Sequence, residues 1–364
     1  MNPPKFRFAA LSVVKHDYVP IGVAAHPRFE PVVVADDPDQ PDRVHELNQK
    51  FADDYEIPYV RDVERAIADY NVGVAVVSSE AERHCDLSVR AADAGLHIVQ
   101  DKPMSNRVSE CDRVVAAVER NNVKFLLWNR NYIPALIQAK QVLDSGRIGE
   151  IYAIHSEFYF PKDKGPPRDP SKPKKPPVNR LEWQKEAHAA GSDGGNRPMG
   201  ELQVEGIYPL ASMRMLTGAA VQRVFARTTA HFHQTCVDND IEDLATVTLE
   251  MDKGILGTLC IGRIGAASRS HTGEIKTRVL GSKGALVINE SRPAIHVYYR
   301  GRPSSDRPLQ GVAADNDFRL PQNFAQAIDT DGDTILNARA GRAICATVQA
   351  AMDSGRSGTP VTVS

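Results

Sequence analysis

From residue 5 to residue 128 the chain alternates short apolar runs with stretches of helical periodicity, and few folds accommodate that rhythm. The apolar runs are Lys5 to Val14, Pro31 to Ala35, Val72 to Val77, Leu96 to Gln100 and Lys124 to Trp128. Helical spacing of apolar residues fills the gaps at Arg43 to Tyr55, Val63 to Tyr70, Glu80 to Ala94 and Ser105 to Arg120, the last with Ser105 or Ser109 as N-cap. Strands that each lead into a helix need right-handed crossovers, so the pattern predicts a parallel, doubly wound α/β sheet. Ligands of such sheets bind outside the carboxyl ends of the strands, which makes the residues just after each run the ones to examine.

The whole chain of 364 residues is too long for one hydrophobic core, and two domains are expected, residues 1–128 and 129–364, with the last helix returning to the first domain. A net charge of -2, from 44 basic and 46 acidic side chains, gives no field to attract nucleic acid or an anionic membrane, which favours a small-molecule ligand. Five cysteines without a CxxC pair read as reduced thiols. No stretch approaches the roughly 18 apolar residues of a membrane span, and the N-terminus lacks a long apolar segment, so a cytoplasmic protein is expected.

The fourth apolar run stops abruptly on Asp101-Lys102-Pro103. Lys102 is either a solvated lysine at a strand end or a group placed for chemistry at the rim of the sheet. The turn after the first strand, Ala10 to Tyr18, lacks the glycines that let a backbone approach a pyrophosphate. Lys15 or His16 contacts a phosphate in another geometry, or His16-Asp17-Tyr18 caps the next helix. The acid that binds a ribose hydroxyl in a dinucleotide site is nevertheless present, as Asp36 after the second run.

Beyond Trp128 a helix from Pro134 to Asp144 and a strand from Ile151 to Phe160 are expected. Alternation at Val221 to His231, Ala245 to Met251, Gly254 to Ile261, Glu274 to Leu280 and Ala285 to Asn289 predicts a large, mostly antiparallel sheet. Helices over Asn323 to Ile328 and Ala338 to Ser354 follow. Pro161 to Val178 has no period; it is a solvated loop or a basic lid carrying Lys162, Lys164, Arg168, Lys172, Lys174 and Lys175 over an anionic or polyhydroxylated substrate. His231 and His233, two apart on an expected strand and followed by acids, have the residue types of a metal site, but spacing of two also falls on any sheet face, and no metal is assigned.

Segments in a fixed order carry a resemblance: AAHPRFEPVVVADD (Ala24 to Asp37), VVSSEAERHCDLSVRAADAGLHIVQDKPMS (Val76 to Ser105), NRNYIP (Asn129 to Pro134), SGRIGEIY (Ser145 to Tyr152), EGIYPLASMRMLTG (Glu205 to Gly218) and GSKGALVI (Gly281 to Ile288). Together they resemble the Gfo/Idh/MocA family of NAD(P)-dependent oxidoreductases over nearly the whole chain. The resemblance implies an N-terminal Rossmann domain followed by a C-terminal α/β domain whose sheet floors the substrate site and forms a homodimer or homotetramer.

It also implies roles. The lysine of the family's Glu-Lys-Pro motif lies beside the nicotinamide, and here it is Lys102, which can polarise a carbonyl or relay a proton if burial lowers its pKa. The cofactor set carried over is Ser12, His16, Asp36, Ser78, Ser79, His84, Asp101, Lys102 and Asn129. The family's Thr-Pro-Asn loop appears as Ser79-Glu80-Ala81, keeping a hydroxyl and, further on, His84. The family's Asp and His of the next domain fall at Val204 and Tyr208, so Tyr208 becomes the partner of Lys102 or else an ordinary core tyrosine, with Glu201, Gln203 or Glu205 replacing the acid. Trp183, Glu205 and Asn131 are the substrate residues, Trp183 by stacking on a sugar face. Asp36 repels a 2′-phosphate, so NAD is expected rather than NADP. A carbohydrate-like substrate is implied. Two alternatives stay open because several family groups are replaced: a keto-sugar lyase, hydratase or epimerase with tightly held or absent dinucleotide, and a non-catalytic sugar-binding protein.

Overall fold

A computed structural model describes residues 4–160, 199–263, 275–290 and 311–364. The described chain divides into two compact units, one holding residues 4–129 and 317–345, the other residues 130–160, 199–263, 275–290, 311–316 and 346–364.

The first unit is built on a six-stranded sheet of order β3-β2-β1-β4-β5-β6, comprising β1 (Phe6–Leu11), β2 (Phe29–Ala35), β3 (Tyr59–Val60), β4 (Val74–Val77), β5 (His97–Gln100) and β6 (Phe125–Leu127). Every pairing in it is parallel. All four residues of β4 are buried, as is expected of strands covered on both faces, and this is why the runs read as unbroken apolar stretches. The strand order reverses between β1 and β4, and the carboxyl ends there open the crevice of a doubly wound sheet.

Helices α1 (Tyr18–Ala25), α2 (Asp42–Asp54), α3 (Val63–Asp69), α4 (His84–Asp93) and α5 (Val108–Arg120) make the crossovers. On α1, a Cβ at Gly22 would come within 2.9 Å of the Trp128 ring, so only glycine lets this helix close on the residue that follows β6. Residue Arg107, not Ser105 or Ser109, is the N-cap of α5, and it makes no side-chain cap. The Ser105 hydroxyl instead accepts the Arg107 N–H, closing a turn before the helix begins. Helix α4 starts four residues later than the apolar spacing suggested, because Glu80 to Arg83 form a separate turn.

The second unit carries a seven-stranded sheet of order β12-β11-β7-β10-β9-β8-β13. Its strands are β7 (Ile151–Phe160), β8 (Val221–Thr229), β9 (Leu244–Met251), β10 (Leu256–Arg263), β11 (Ile275–Gly281), β12 (Gly284–Asn289) and β13 (Val361–Thr362). Only β7 and β10 run parallel; the other pairs are antiparallel. Burial alternates strictly along β9, the signature of a sheet with one covered face. Strand β8 ends at Thr229, so His231 and His233 are not on it. The backbone N–H groups of His231, Phe232 and His233 all donate to the Asp243 carboxylate, which curls the chain into a turn instead of extending the strand.

Residues Glu201 to Thr217 form two helices, Glu201–Glu205 and Ile207–Thr217, that meet at Gly206. Pro209 has no N–H to give the Glu205 carbonyl, which removes one helical bond at the joint.

Candidate active site

Ser12, Asp36, Ser78, Ser79, Asp101, Lys102 and Asn129 all follow directly on strands of the parallel sheet, at its carboxyl edge, and all are buried. Sequence and topology together therefore gather most of the expected cofactor set in one place. Lys102 is 2% exposed, an unusual setting for a lysine, since ammonium groups are seldom buried without a reason. The segment that carries it is fixed from below by Gln100, whose amide donates to the Met104 carbonyl at 2.9 Å while accepting from the Ser88 hydroxyl at 2.8 Å. The Lys102–Pro103 peptide is cis.

Beside Lys102, His16 Nδ1 and Asp101 Oδ2 are 2.5 Å apart. Burial pushes the His16 imidazole below its ordinary pKa, an effect opposed by Asp101 and assisted by Lys102. Burial alone would raise the Asp101 pKa, but His16, His84 and Lys102 hold that carboxyl below the usual carboxylate range. The side chain of His84 is wholly buried; its ring nitrogens face the carbonyls of Pro103 at 2.8 Å and Ser79 at 3.0 Å, and burial lowers its pKa too. His84 thus links the loop after β4 to the loop after β5.

The turn after β1 is made without glycine. Ser12 adopts φ 59°, the left-handed region that glycine usually fills. Its N–H donates to the Ala35 carbonyl, Val13 N–H to the Asn48 side chain at 2.7 Å, and Val14 N–H to the Ser78 carbonyl at 3.2 Å. The Ser78 hydroxyl donates to the carbonyl of His16 at 2.7 Å, so the loop after β4 clasps this turn. Asn129 donates to the Leu127 carbonyl at 2.7 Å and keeps β6 capped.

At the end of β2, both oxygens of the Asp36 carboxylate have partners inside the chain. Oδ1 accepts from the Asp37 N–H at 2.8 Å and from Arg83 Nη2 at 2.5 Å, and Oδ2 accepts from Asn48 Nδ2 at 2.9 Å. Asn48 and Arg83 are therefore neighbours of the expected ribose ligand that the sequence did not reveal. Arg83 falls inside an ordinary helical pattern, and nothing in its spacing marks it.

In the second unit, Tyr208 is buried on the helix Ile207–Thr217. The Arg130 guanidinium lies over its ring at 5.6 Å from the centroid and is 3.3 Å from the Glu290 carboxylate. Burial raises the Glu290 pKa, and Arg130 opposes that rise. Ser212 joins Tyr208 to Asn131, its hydroxyl within 3.0 Å of the Tyr208 carbonyl and 3.4 Å of Asn131 Oδ1. Glu205 is buried one turn before Tyr208. Glu201 pairs with Arg263 at 2.6 Å. Trp183 and the segment Pro161 to Val178 lie outside the described residues. Among the described residues no group of three histidines, cysteines or acids has the arrangement of a metal site, and His233 Nε2 faces the Arg263 carbonyl at 3.0 Å. The five cysteines are unpaired, and no described helix is long and apolar enough to cross a membrane.

Two family models match. Residues 24–128 match the model described as an oxidoreductase family with an NAD-binding Rossmann fold, and residues 136–287 match the Gfo/Idh/MocA C-terminal domain. Among curated proteins, an inositol 2-dehydrogenase of Salmonella paratyphi B is 30% identical over 95 residues, which is 26% of this chain and 28% of that protein. The match therefore spans little more than a quarter of that relative. Among solved structures, a myo-inositol dehydrogenase of Corynebacterium glutamicum superposes with a TM-score of 0.73 at 21% identity, covering 99% of both chains. The WlbA dehydrogenase of Bordetella pertussis, crystallised with NADH and UDP-GlcNAcA, gives 0.74 at 19% identity, covering 100% of this chain and 99% of that one.

Proposed function

The chain belongs to the Gfo/Idh/MocA family, and on that premise we propose that it is an NAD-dependent oxidoreductase acting on a sugar, cyclitol or related hydroxy or keto compound. The observation that carries the reading is Lys102, buried at the carboxyl end of β5 beside the His16–Asp101 pair. A buried ammonium has lost most of its water, so a substrate oxygen brought to it meets a strong, poorly screened donor. Lys102 polarises that oxygen in the keto form and takes or returns its proton in the hydroxy form. Asp101 balances the charge and, with His16, keeps the strand end from rearranging as the proton moves. Bound NAD supplies the hydride acceptor.

Two features support NAD here: the buried Lys102 at the end of β5, on a loop that His84 ties to Ser79, and the left-handed Ser12 in the turn after β1. The ribose acceptor Asp36 stands at the right strand end, but its oxygens are occupied. Two acids in succession, Asp36 and Asp37, oppose a 2′-phosphate and favour NAD over NADP. In the second unit Tyr208, with its buried neighbours Asn131 and Glu205, is the proposed source of substrate groups. The dinucleotide and the nucleotide sugar in the WlbA crystal agree with a cofactor and substrate of these classes.

Equilibrium titration of the protein with NADH and NADPH, followed by nicotinamide fluorescence, tests the reading. Saturable NADH binding is expected; no binding of either at millimolar concentration overturns it. That negative result would favour the lyase, hydratase or epimerase reading, which the occupied Asp36 supports. With binding in hand, NAD reduction in the presence of a panel of cyclitols and sugars identifies the substrate.

A further inference from the structure

Asp36 is wholly buried, while the Arg83 side chain that covers it retains 19% exposure. Arg83 reaches three walls of this corner at once. Nη2 donates to Asp36 Oδ1 at 2.5 Å and to Asp37 Oδ2 at 3.1 Å, and Nη1 donates to the Ser12 hydroxyl at 3.3 Å. The guanidinium therefore bridges the turn after β1 and the end of β2, where the acid of a dinucleotide site holds ribose hydroxyls. A ribose hydroxyl needs a free oxygen of Asp36, and Oδ1 is already shared between Arg83 and the Asp37 N–H.

We propose that Arg83 sets the dinucleotide affinity of this protein by competing with the adenosine ribose for Asp36. The inference rests on the reading of the chain as an NAD-dependent enzyme and deepens it. The corner is built so that Arg83 can leave while the others stay. Asp37 keeps a bidentate pair with Arg90, at 2.8 and 2.9 Å, and Arg90 is held in turn by Glu64 at 2.7 and 2.8 Å. Asp36 keeps the Asn48 amide and the Asp37 N–H, and Asn48 is anchored by the Val13 N–H. Ribose then replaces an ion pair by a hydrogen bond to the same carboxylate, losing the attraction of the opposite charge, so occupancy of Asp36 by Arg83 weakens the adenosine half of the cofactor selectively. A 2′-phosphate would gain little from Arg83, whose charge is already opposed by Asp36, Asp37 and, at 3.7 Å, Glu80.

The test measures dissociation constants of NADH, NADPH and reduced nicotinamide mononucleotide, which lacks the adenosine half, for the full-length protein and Arg83→Gln. The wild type is expected to hold NADH and the mononucleotide within about threefold of each other, whereas Arg83→Gln tightens NADH by about tenfold or more and leaves the mononucleotide unchanged. Adding Asp36→Asn to Arg83→Gln should cancel most of the gain, because the amide carries no charge and replaces one accepting oxygen by a donor. Circular dichroism melts check that the variants fold, and Arg83→Lys, which keeps a charge without the planar fork, should tighten NADH by a smaller factor. Unchanged or weaker NADH binding by folded Arg83→Gln, or by Arg83→Lys if the Gln variant does not fold, overturns the proposal. So does a wild type that prefers NADPH by tenfold or more, which would make Arg83 a phosphate reader. If neither NADH nor the mononucleotide binds any variant, the NAD-dependent reading fails first and takes the competition with it.

Discussion

At the carboxyl end of β2 each acid has a guanidinium from its own chain, Asp36 from Arg83 and Asp37 from Arg90, whereas at the end of β5 the buried Lys102, the part-buried His16 and the buried His84 act on the single acid Asp101. Both corners lie on the same edge of the same sheet, each with a buried acid, Asp36 or Asp101, beneath part-buried partners. The first is internally compensated by fork-shaped cations, with Arg90 held by both Asp37 and Glu64 and Arg83 covering Asp36. At the second, Asp101 is held by Lys102, His16 and His84, and on the proposed reading a substrate oxygen becomes a further partner of Lys102. On the proposed reading, the first corner is where Arg83 and the cofactor compete and the second is where the chemistry is carried.

The sharpest way to break that contrast is Lys102→Ala. If the β5 corner is the chemical one, kcat falls by about 10²- to 10⁴-fold while NADH affinity moves by less than about threefold. Steady-state kinetics on the identified substrate, together with the NADH titration, supply both numbers. A variant that retains full turnover would return Lys102 to the rank of a buried structural lysine.

The matching change at the other corner should strike stability. Asp36→Ala leaves Arg83 and Asn48 facing a lost acceptor in a buried setting, and breaking such a pair from one side costs about 3 kcal/mol or more. Urea unfolding with an unchanged slope and a lower midpoint is the expected record. Wild-type stability would mean that the network behaves as a surface ion pair, and the two corners would no longer differ in kind.

The contrast also marks where the sequence was readable. An apolar run that stops on Asp101-Lys102-Pro103 announces a strand end and its lysine, because burial of a parallel strand demands continuous apolar residues. The two sheets and their directions followed from the same periodicities. In the turn after β1, which lacks the usual glycines, Ser12 takes the left-handed conformation, held there by bonds to Ala35 and Arg83 that are distant in sequence. Arg83 and Asn48 were illegible for the same reason, since their partners lie 47 and 12 residues away and local spacing carries no trace of them. The turn at His231 escaped because a carboxylate twelve residues later, Asp243, collects its N–H groups. Likewise the split at Gly206 required attention to Pro209 rather than to apolar spacing.

A third solution to a buried acid appears in the second unit, and it yields the smallest effect. Glu242 caps the helix Glu201–Glu205: its backbone carbonyl accepts the Glu201 N–H at 3.1 Å, and its Oε1 accepts the Leu202 N–H at 2.9 Å. Gly200 leaves room for it, since a Cβ there would fall 1.0 Å from Oε2. Burial pushes this carboxyl up to about 8, the Leu202 and Gln203 N–H groups oppose the rise, and nearby Glu201 adds to it. Here a proton stands where Arg83 stands for Asp36. Between the unfolded value of 4.5 and about 8 the folded chain holds a proton that the unfolded chain has released. Stability from this group therefore falls as pH rises through that window and is level above it. Glu242→Gln, neutral throughout, should stay near the wild type at pH 4 to 5 and exceed it by a growing margin as pH rises, the gap levelling off above about 8. Parallel curves of unfolding free energy against pH for the two proteins would show that Glu242 is ionised in the fold, and that this acid too is compensated by charge rather than by a proton.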